Sequence, residues 1–302
     1  MTRQPDKRYS ISLEQLLKGG NNLLYILFEQ ARDGIVVLDE QGKVVVANRQ
    51  FAEMLGYTDE EIKHLYVWDW DRQFNKKDLE TKIKIIDESG HQFVTRQARK
   101  DGSLIDVELS NSATIYQGKK LIFCICRDIT QRMVDEEKIL LLATTDHLTG
   151  LLNRREFIRR LKREMQRARR YKGSLALIMY DFDDFKDIND HFGHPEGDQV
   201  LKISSELVTK NIRTTDVAAR FGGEEFIILL PRCELSEARL VAEKIRRIIA
   251  AHHFSPKFSV TASFGVTEFV PGENIESLLK RVDNALYRAK GGNKNRVETL
   301  TA

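Results

Sequence analysis

The chain has 302 residues, enough for about two domains at roughly 100–200 residues each. Hydrophobic residues make up 41% and charged residues 31%, which excludes a mostly disordered or collagen-like chain, and 5 prolines leave no room for long proline-rich linkers. Lys and Arg number 48 against 45 Asp and Glu, a formal charge of +3 that is too balanced to imply nucleic-acid binding.

The longest apolar stretches, such as Leu121–Ile125 and Phe226–Pro231, fall far short of the ~20 residues a membrane-spanning helix needs. The N-terminus, MTRQPDKRYS, lacks the apolar middle of a signal peptide. The expectation is a cytoplasmic protein with no membrane partner. Cys124, Cys126 and Cys233 have neither a disulfide framework nor metal-ligand spacing and read as small buried hydrophobes.

From about Leu23 to Thr130 the chain reads as short strands joined by turns. Ile35–Leu38 and Lys43–Ala47 flank the four-residue loop Asp39–Gly42. Thr58 and Glu61 have the spacing of a capping box and open a short helix. Turn signals at Lys100–Gly102 and Gln117–Gly118 separate Val94–Arg99, Ser103–Ser110 and Leu121–Arg127. The pattern predicts an antiparallel sheet with small helices on one side. Asp128–Thr145 has no Gly or Pro, and Ile129, Met133, Glu136, Leu140 and Ala143 form a heptad seam: a short coiled coil or a plain amphipathic connector.

The second half alternates helix and strand. Asn153 caps a helix to about Tyr171 that carries most of a run of ten basic residues between Arg154 and Lys172, with Phe157, Ile158, Leu161 and Met165 as its core stripe. That run reads as a solvated face rather than a nucleic-acid surface. Leu175–Tyr180 is continuously apolar, hence a buried strand. Asp198–Ile212 reads as helix, Val217–Phe221 and Phe226–Leu230 as strands around Gly222–Gly223, Ser236–Ala251 as helix and Val260–Val266 as a half-buried strand. A last helix ends at Gly291–Gly292.

Asp181 follows the buried strand, and a carboxylate there is costly unless something neutralises it. Glu224 and Glu225 follow the Gly222–Gly223 turn, whose tip reaches Asp181 if that hairpin lies beside the first strand. Three acids at one sheet end suit hard divalent cations, and two such ions would clamp a phosphoryl transfer. An ordinary hairpin with a solvated acidic tip explains the same residues. Lys186 lies within reach of phosphates. Asn189, His194 and Asp198 carry groups suited to a purine edge, although Asp198 also stands where an N-cap belongs. Lys290 and Lys294 can serve a triphosphate or the end of the last helix.

TTDHLTGLLNR (Thr144–Arg154), MYDFDDFKDINDHFGHPEGD (Met179–Asp198), RFGGEEF (Arg220–Phe226) and ALYRAKGGNKNRV (Ala285–Val297) resemble, in order and spacing, the GGDEF family of diguanylate cyclases. The resemblance implies an α+β, palm-like sheet fold and the condensation of two GTP into cyclic di-GMP and two pyrophosphates across a homodimer. It implies that Asp181, the carbonyl of Phe182, Glu224 and Glu225 hold two Mg²⁺ or Mn²⁺. Glu224 would be the base for the ribose 3′-OH and Lys186 would stabilise the transferring phosphate. Asn189, His194 and Asp198 would form the guanine pocket, and Lys290 and Lys294 would contact the phosphates. The family often has Gly-Arg-Asn where this chain has Asn293-Lys294-Asn295, so weaker GTP binding is expected. Arg213 and Asp216 resemble the family's RxxD inhibitory site for the product. Lys244 matches a position that reaches a neighbouring domain's ligand.

DGIVVLDEQGKVVVANRQFAEMLGYTDEEI (Asp33–Ile62), RKDGSLIDVELS (Arg99–Ser110) and RDIT (Arg127–Thr130) resemble a PAS sensor domain, a family that binds haem, flavin, organic acids or nothing. The residues do not name its ligand. His64 and His91 are conceivable haem ligands, and Tyr66, Trp68 and Trp70 can line a pocket or pack a core. The expected organisation is an N-terminal segment (1–22), a PAS domain (23–130), a helical linker (131–145) and a GGDEF domain (146–300). The competing expectation is a catalytically weak receptor for cyclic di-GMP or GTP.

Overall fold

The computed structural model describes residues 20–301, so most of the expected 1–22 segment lies outside the described residues. The chain divides between Glu136 and Glu137 into two compact units. Among the described residues no helix is long and apolar enough to cross a membrane.

The first unit opens with a helix the sequence reading did not anticipate, α1 (Gly20–Glu29). It continues through β1 (Gly34–Asp39), β2 (Val44–Ala47), α2 (Arg49–Leu55), α3 (Asp59–Ile62), α4 (Val67–Trp70), α5 (Lys76–Ile85), β3 (His91–Ala98), β4 (Leu104–Tyr116) and β5 (Lys119–Asp128). The strands form one antiparallel sheet in the order β2-β1-β5-β4-β3. Alternation in β1 buries Val36 and Leu38 against Phe51, Leu55, Ile62 and Trp70 from the helices. Thr58 and Glu61 form the expected capping box. Asn48 caps α2 with Oδ1, which also accepts from Ile35 N at 2.8 Å, while its Nδ2 donates to the Phe28 and Asp33 carbonyls. β4 runs six residues beyond the expected end at Ser110, to Tyr116. The cause is the turn that follows. Gln117 (φ 50°) and Gly118 (φ 75°) are both left-handed, a two-residue hairpin that keeps Tyr116 opposite Lys119.

The helix α6 (Thr130–Thr144) covers the expected connector and has no buried residue; Leu140 and Leu142 are 62% and 73% exposed.

The second unit contains β6 (Leu152–Asn153), α7 (Arg154–Tyr171), β7 (Leu175–Phe182), α8 (Phe185–Phe192), α9 (His194–Asn211), β8 (Val217–Arg220), β9 (Glu225–Pro231), α10 (Leu235–Ala251), β10 (Ala262–Glu268), α11 (Ile275–Gly291) and β11 (Val297–Leu300). Its sheet has the order β11-β10-β7-β9-β8-β6. β7 is apolar throughout because both faces are covered. Ala176, Ile178, Tyr180 and Phe182 pack with Val200, Leu201, Ala238 and Ile245 of α9 and α10. Leu175, Leu177 and Met179 pack with Phe157 and Leu161 of α7 and Val282 and Leu286 of α11. A β-carbon at Gly265 would collide with the α11 backbone at Val282 and Leu286, so glycine in β10 lets that helix lie close to the sheet.

α9 begins at His194, not at Asp198 as the sequence pattern suggested. Gly193 (φ 87°) makes the sharp entry and Pro195 sets the first turn, so Asp198 lies inside the helix and is not its cap.

Candidate active site

β7 lies between β9 and β10, and this register assembles the site. Asp181 stands opposite Glu225 on β9 and Ser263 on β10. Glu225 is the first residue of β9, and Glu224 precedes it in the turn. The turn closes through Glu225 O, which accepts from Phe221 N (2.7 Å) and Gly222 N (3.2 Å). A β-carbon at Gly222 would come within 2.5 Å of Glu225 Oε2, so glycine there makes room for the carboxylate. Arg220 holds the turn from outside. Its Nη2 donates to Gly223 O at 2.7 Å, and its Nη1 donates to Asp146 Oδ1 at 3.1 Å. Asp146 and Arg220 were not singled out in the sequence, although both lie within quoted motifs.

Asp181 is buried, and Lys290 near the end of α11 pairs with it. The same ammonium donates to Phe182 O at 3.2 Å. Burial pushes the Asp181 carboxyl up to about 6, against the pull of Lys290 and with small contributions from Glu224 and Glu225. Burial also raises Glu224, with Lys290 opposing and Glu225 adding to the rise. Among the described residues no group of three His, Cys, Asp or Glu side chains is clustered closely enough to hold a metal ion. The oxygens of Asp181 and Phe182 nevertheless converge on one cationic group, and hard oxygen donors of this kind fit a divalent ion.

Asp183, passed over in the sequence, is buried and accepts three hydrogen bonds: from Thr261 Oγ1 (2.7 Å), Ser263 Oγ (2.7 Å) and Asn295 N (2.9 Å). Asn293, Lys294 and Asn295 all have left-handed backbones (φ 76°, 57° and 42°), a conformation that costs an L-residue roughly 1–2 kcal/mol. Lys294 pairs with Asp184, which raises the lysine's pKa from its ordinary value. Asn295 Oδ1 accepts from Arg246 Nη1 of α10 at 2.7 Å.

The remaining expected residues fall on two adjoining helices. Lys186 is exposed in the first turn of α8. The Asn189 carboxamide lies against Gly197, where a β-carbon would collide with it, and Asp198 is the next residue along α9. His194 and Asp198 are both exposed.

Arg213 and Asp216 form a tight turn before β8. Arg213 N donates to Asp216 Oδ2 at 2.9 Å, and Asp216 N donates to Arg213 O at 3.0 Å. Lys244 of α10 reaches Asn211 O at 3.3 Å. Beside Arg213 lies a groove of about 770 Å³ that also carries Arg167, Tyr171 and Arg232.

In the first unit, a cavity of about 60 Å³ lies among Trp70, Ile83, Ile122 and Cys124. Gln97 Oε1 and Asn111 Oδ1, two of its lining groups, are buried and find no protein hydrogen-bond partner among the described residues. His64 and His91 are exposed and do not line it. Trp70 packs edge-on against Phe51 at 5.4 Å, whereas Tyr66 and Trp68 stack on each other at 4.7 Å beneath Lys76.

Comparison with known proteins gives the family. The family model described as diguanylate cyclase, GGDEF domain, matches residues 143–296, and a PAS domain model matches residues 32–131. Diguanylate cyclase DgcM of Escherichia coli K12 is 34% identical over 285 residues, covering 92% of this chain and 66% of DgcM. Diguanylate cyclase DgcP of Pseudomonas aeruginosa is 46% identical over 159 residues, covering 52% of this chain and 24% of DgcP. The chain therefore spans less than two thirds of the length of either relative. The crystal structure of the coiled coil and GGDEF domain of DgcB from Caulobacter crescentus, in complex with c-di-GMP, superposes with a TM-score of 0.54 at 33% identity, covering 56% of this chain and 93% of that one. With the family model matching more than half its length, the chain belongs to the GGDEF family of diguanylate cyclases and carries an N-terminal PAS domain.

Proposed function

We propose that this protein joins two GTP molecules into cyclic di-GMP, with each of two facing GGDEF domains holding one GTP. Two P–O bonds form, between each ribose 3′-oxygen and the α-phosphorus of the other nucleotide. Two P–O bonds break, and two pyrophosphates leave. The observation that carries this reading is the convergence of the Asp181 carboxylate and the Phe182 carbonyl on one cation at the end of β7, opposite Glu225.

Asp181, Phe182 O, Glu224 and Glu225 would hold Mg²⁺ or Mn²⁺. When bound, such ions supply positive charge where the reacting phosphates gather negative charge. The protein's own groups do the rest. Glu224, its proton affinity raised by burial, takes the proton from the 3′-OH. Lys186, Lys290 and Lys294 bind the phosphates. Asn189, His194 and Asp198 orient the guanine. Arg213, Asp216 and Lys244 bind the product and slow the enzyme. The PAS domain acts through α6 on the meeting of the two sites.

The test is direct. Purified protein, stripped of bound nucleotide and assayed over a range of concentrations with GTP and Mg²⁺, should yield cyclic di-GMP and pyrophosphate. Glu224→Gln should yield none while still binding the dinucleotide. A wild-type chain that binds cyclic di-GMP but forms none supports the receptor reading instead.

A further inference from the structure

We propose that Asp183 is a positioning residue for the triphosphate, acting through the Asn293–Asn295 turn and not by touching the nucleotide. The inference rests on the GTP reading of the site. A buried carboxylate needs hydrogen bonds or a counter-charge, and Asp183 has no ion-pair partner among the described residues. Three donors satisfy it instead, and they come from two places. Thr261 and Ser263 lie at the start of β10, which β7 already holds by its register. Asn295 N belongs to the turn after α11. The carboxylate thus fastens that turn to the strand end.

The turn needs fastening. Its three residues are all left-handed; asparagine tolerates that conformation at positions 293 and 295, but Lys294 between them does not favour it, so the turn is not secured by local sequence alone. Arg246 of α10 grips the same residue from the other side through Asn295 Oδ1. Arg246 is itself held by Glu243, at 2.9 Å and 2.7 Å. Asn295 is therefore clamped between Asp183 and α10. Lys294, which precedes it, is one of the cations, with Lys186 and Lys290, that would meet phosphates. The clamp fixes where Lys294 emerges. The guanine residues Asn189, His194 and Asp198 lie on α8 and α9 and share no hydrogen bond with it.

This separation gives the test a readout that a general loss of structure would not produce. Binding to the full chain is measured for guanosine and for a GTP analogue with a methylene between the α- and β-phosphorus, which blocks turnover. Asp183→Ala should weaken the analogue by about tenfold or more, the effect of losing charge-assisted contacts, and leave guanosine within about twofold. Asp183→Asn, which keeps an acceptor for Asn295 N, should recover most of the loss. Asn295→Ala should shift the analogue in the same sense, and it serves as the probe where Asp183→Ala does not fold. An unchanged analogue affinity, or an equal loss for guanosine, overturns the proposal. A wild-type chain that binds the analogue no better than guanosine also overturns it, and shows that the GTP reading itself has failed.

Discussion

Lys290 reaches from α11 to Asp181 and occupies the place where the buried carboxylate needs positive charge. On the proposed reading, a dication would compete with this ammonium for the same oxygens, and protons would compete with both. Asp181 holds its proton up to about pH 6, and Glu224 is raised as well. At limiting Mg²⁺, kcat/KM for GTP should therefore fall as the pH drops through about 6. Raising Mg²⁺ should move that acidic limb to lower pH. A limb that stays in place across Mg²⁺ concentrations would show that a different group sets it.

The same burial makes Asp181 a liability for stability. Its folded pKa of about 6 exceeds the ordinary 3.8. Between those values the folded chain keeps a proton that the unfolded chain has lost, so stability falls as pH rises through the window, and the whole loss is present above about 6. Asp181→Asn removes the cost. It should stabilise the GGDEF domain at pH 7.5 by on the order of 2 kcal/mol, with the gain fading toward pH 4. Turnover should be lost. Thermal unfolding of both proteins at the two pH values checks this, and a gain of equal size at both would refute the burial argument.

Much of this site was legible because chemistry there depends on order in sequence. Asp181 sits where a buried strand ends, and Glu224 and Glu225 sit where a Gly-Gly turn ends, so a hairpin beside that strand puts Glu225 opposite Asp181, although the three carboxylates do not close into one cluster among the described residues. Asp183 was not legible. Its importance comes from Thr261, Ser263 and Asn295, at least 78 residues away, which meet it only once β10 and the last turn are in place. Arg220 was likewise hidden, since its partner Asp146 lies 74 residues earlier. In the first unit the strand alternation and the Thr58 capping box were readable from local spacing. The Gln117–Gly118 turn was readable too, but the full length of β4 was not, because the polar run Ser110–Ser112 in its middle gives no apolar alternation to follow.

The turn that carries Lys294 offers a test of local strain. Asn293 has φ 76°, which asparagine tolerates and glycine adopts freely. Asn293→Gly should raise stability by about 0.5 kcal/mol, read as a higher denaturant midpoint at constant slope. A lower midpoint would mean that the Asn293 side chain makes a compensating contact.

Lys294 is exposed and paired with Asp184. A lysine offers the phosphates a point charge, while an arginine offers a planar fork with two parallel donors. Lys294→Arg should lower KM for GTP about threefold with little change in kcat, because the gain lies in binding and not in the reacting atoms. A change confined to kcat would place Lys294 closer to the bond-making step.

Arg213 tests regulation separately from chemistry. Asp216 accepts the Arg213 backbone N–H, so the turn keeps its shape when the guanidinium is removed. The side chain is exposed beside a groove that also carries Arg167 and Arg232, where a phosphodiester would find several guanidiniums at once. Arg213→Ala should weaken cyclic di-GMP binding by about tenfold and relieve product inhibition to a similar degree, the size expected for one charge-assisted contact. The initial rate on stripped protein should be unchanged, because no residue proposed for the nucleotide site lies in this turn. A slower initial rate with undiminished inhibition would place Arg213 in the catalytic assembly and leave product control to another surface.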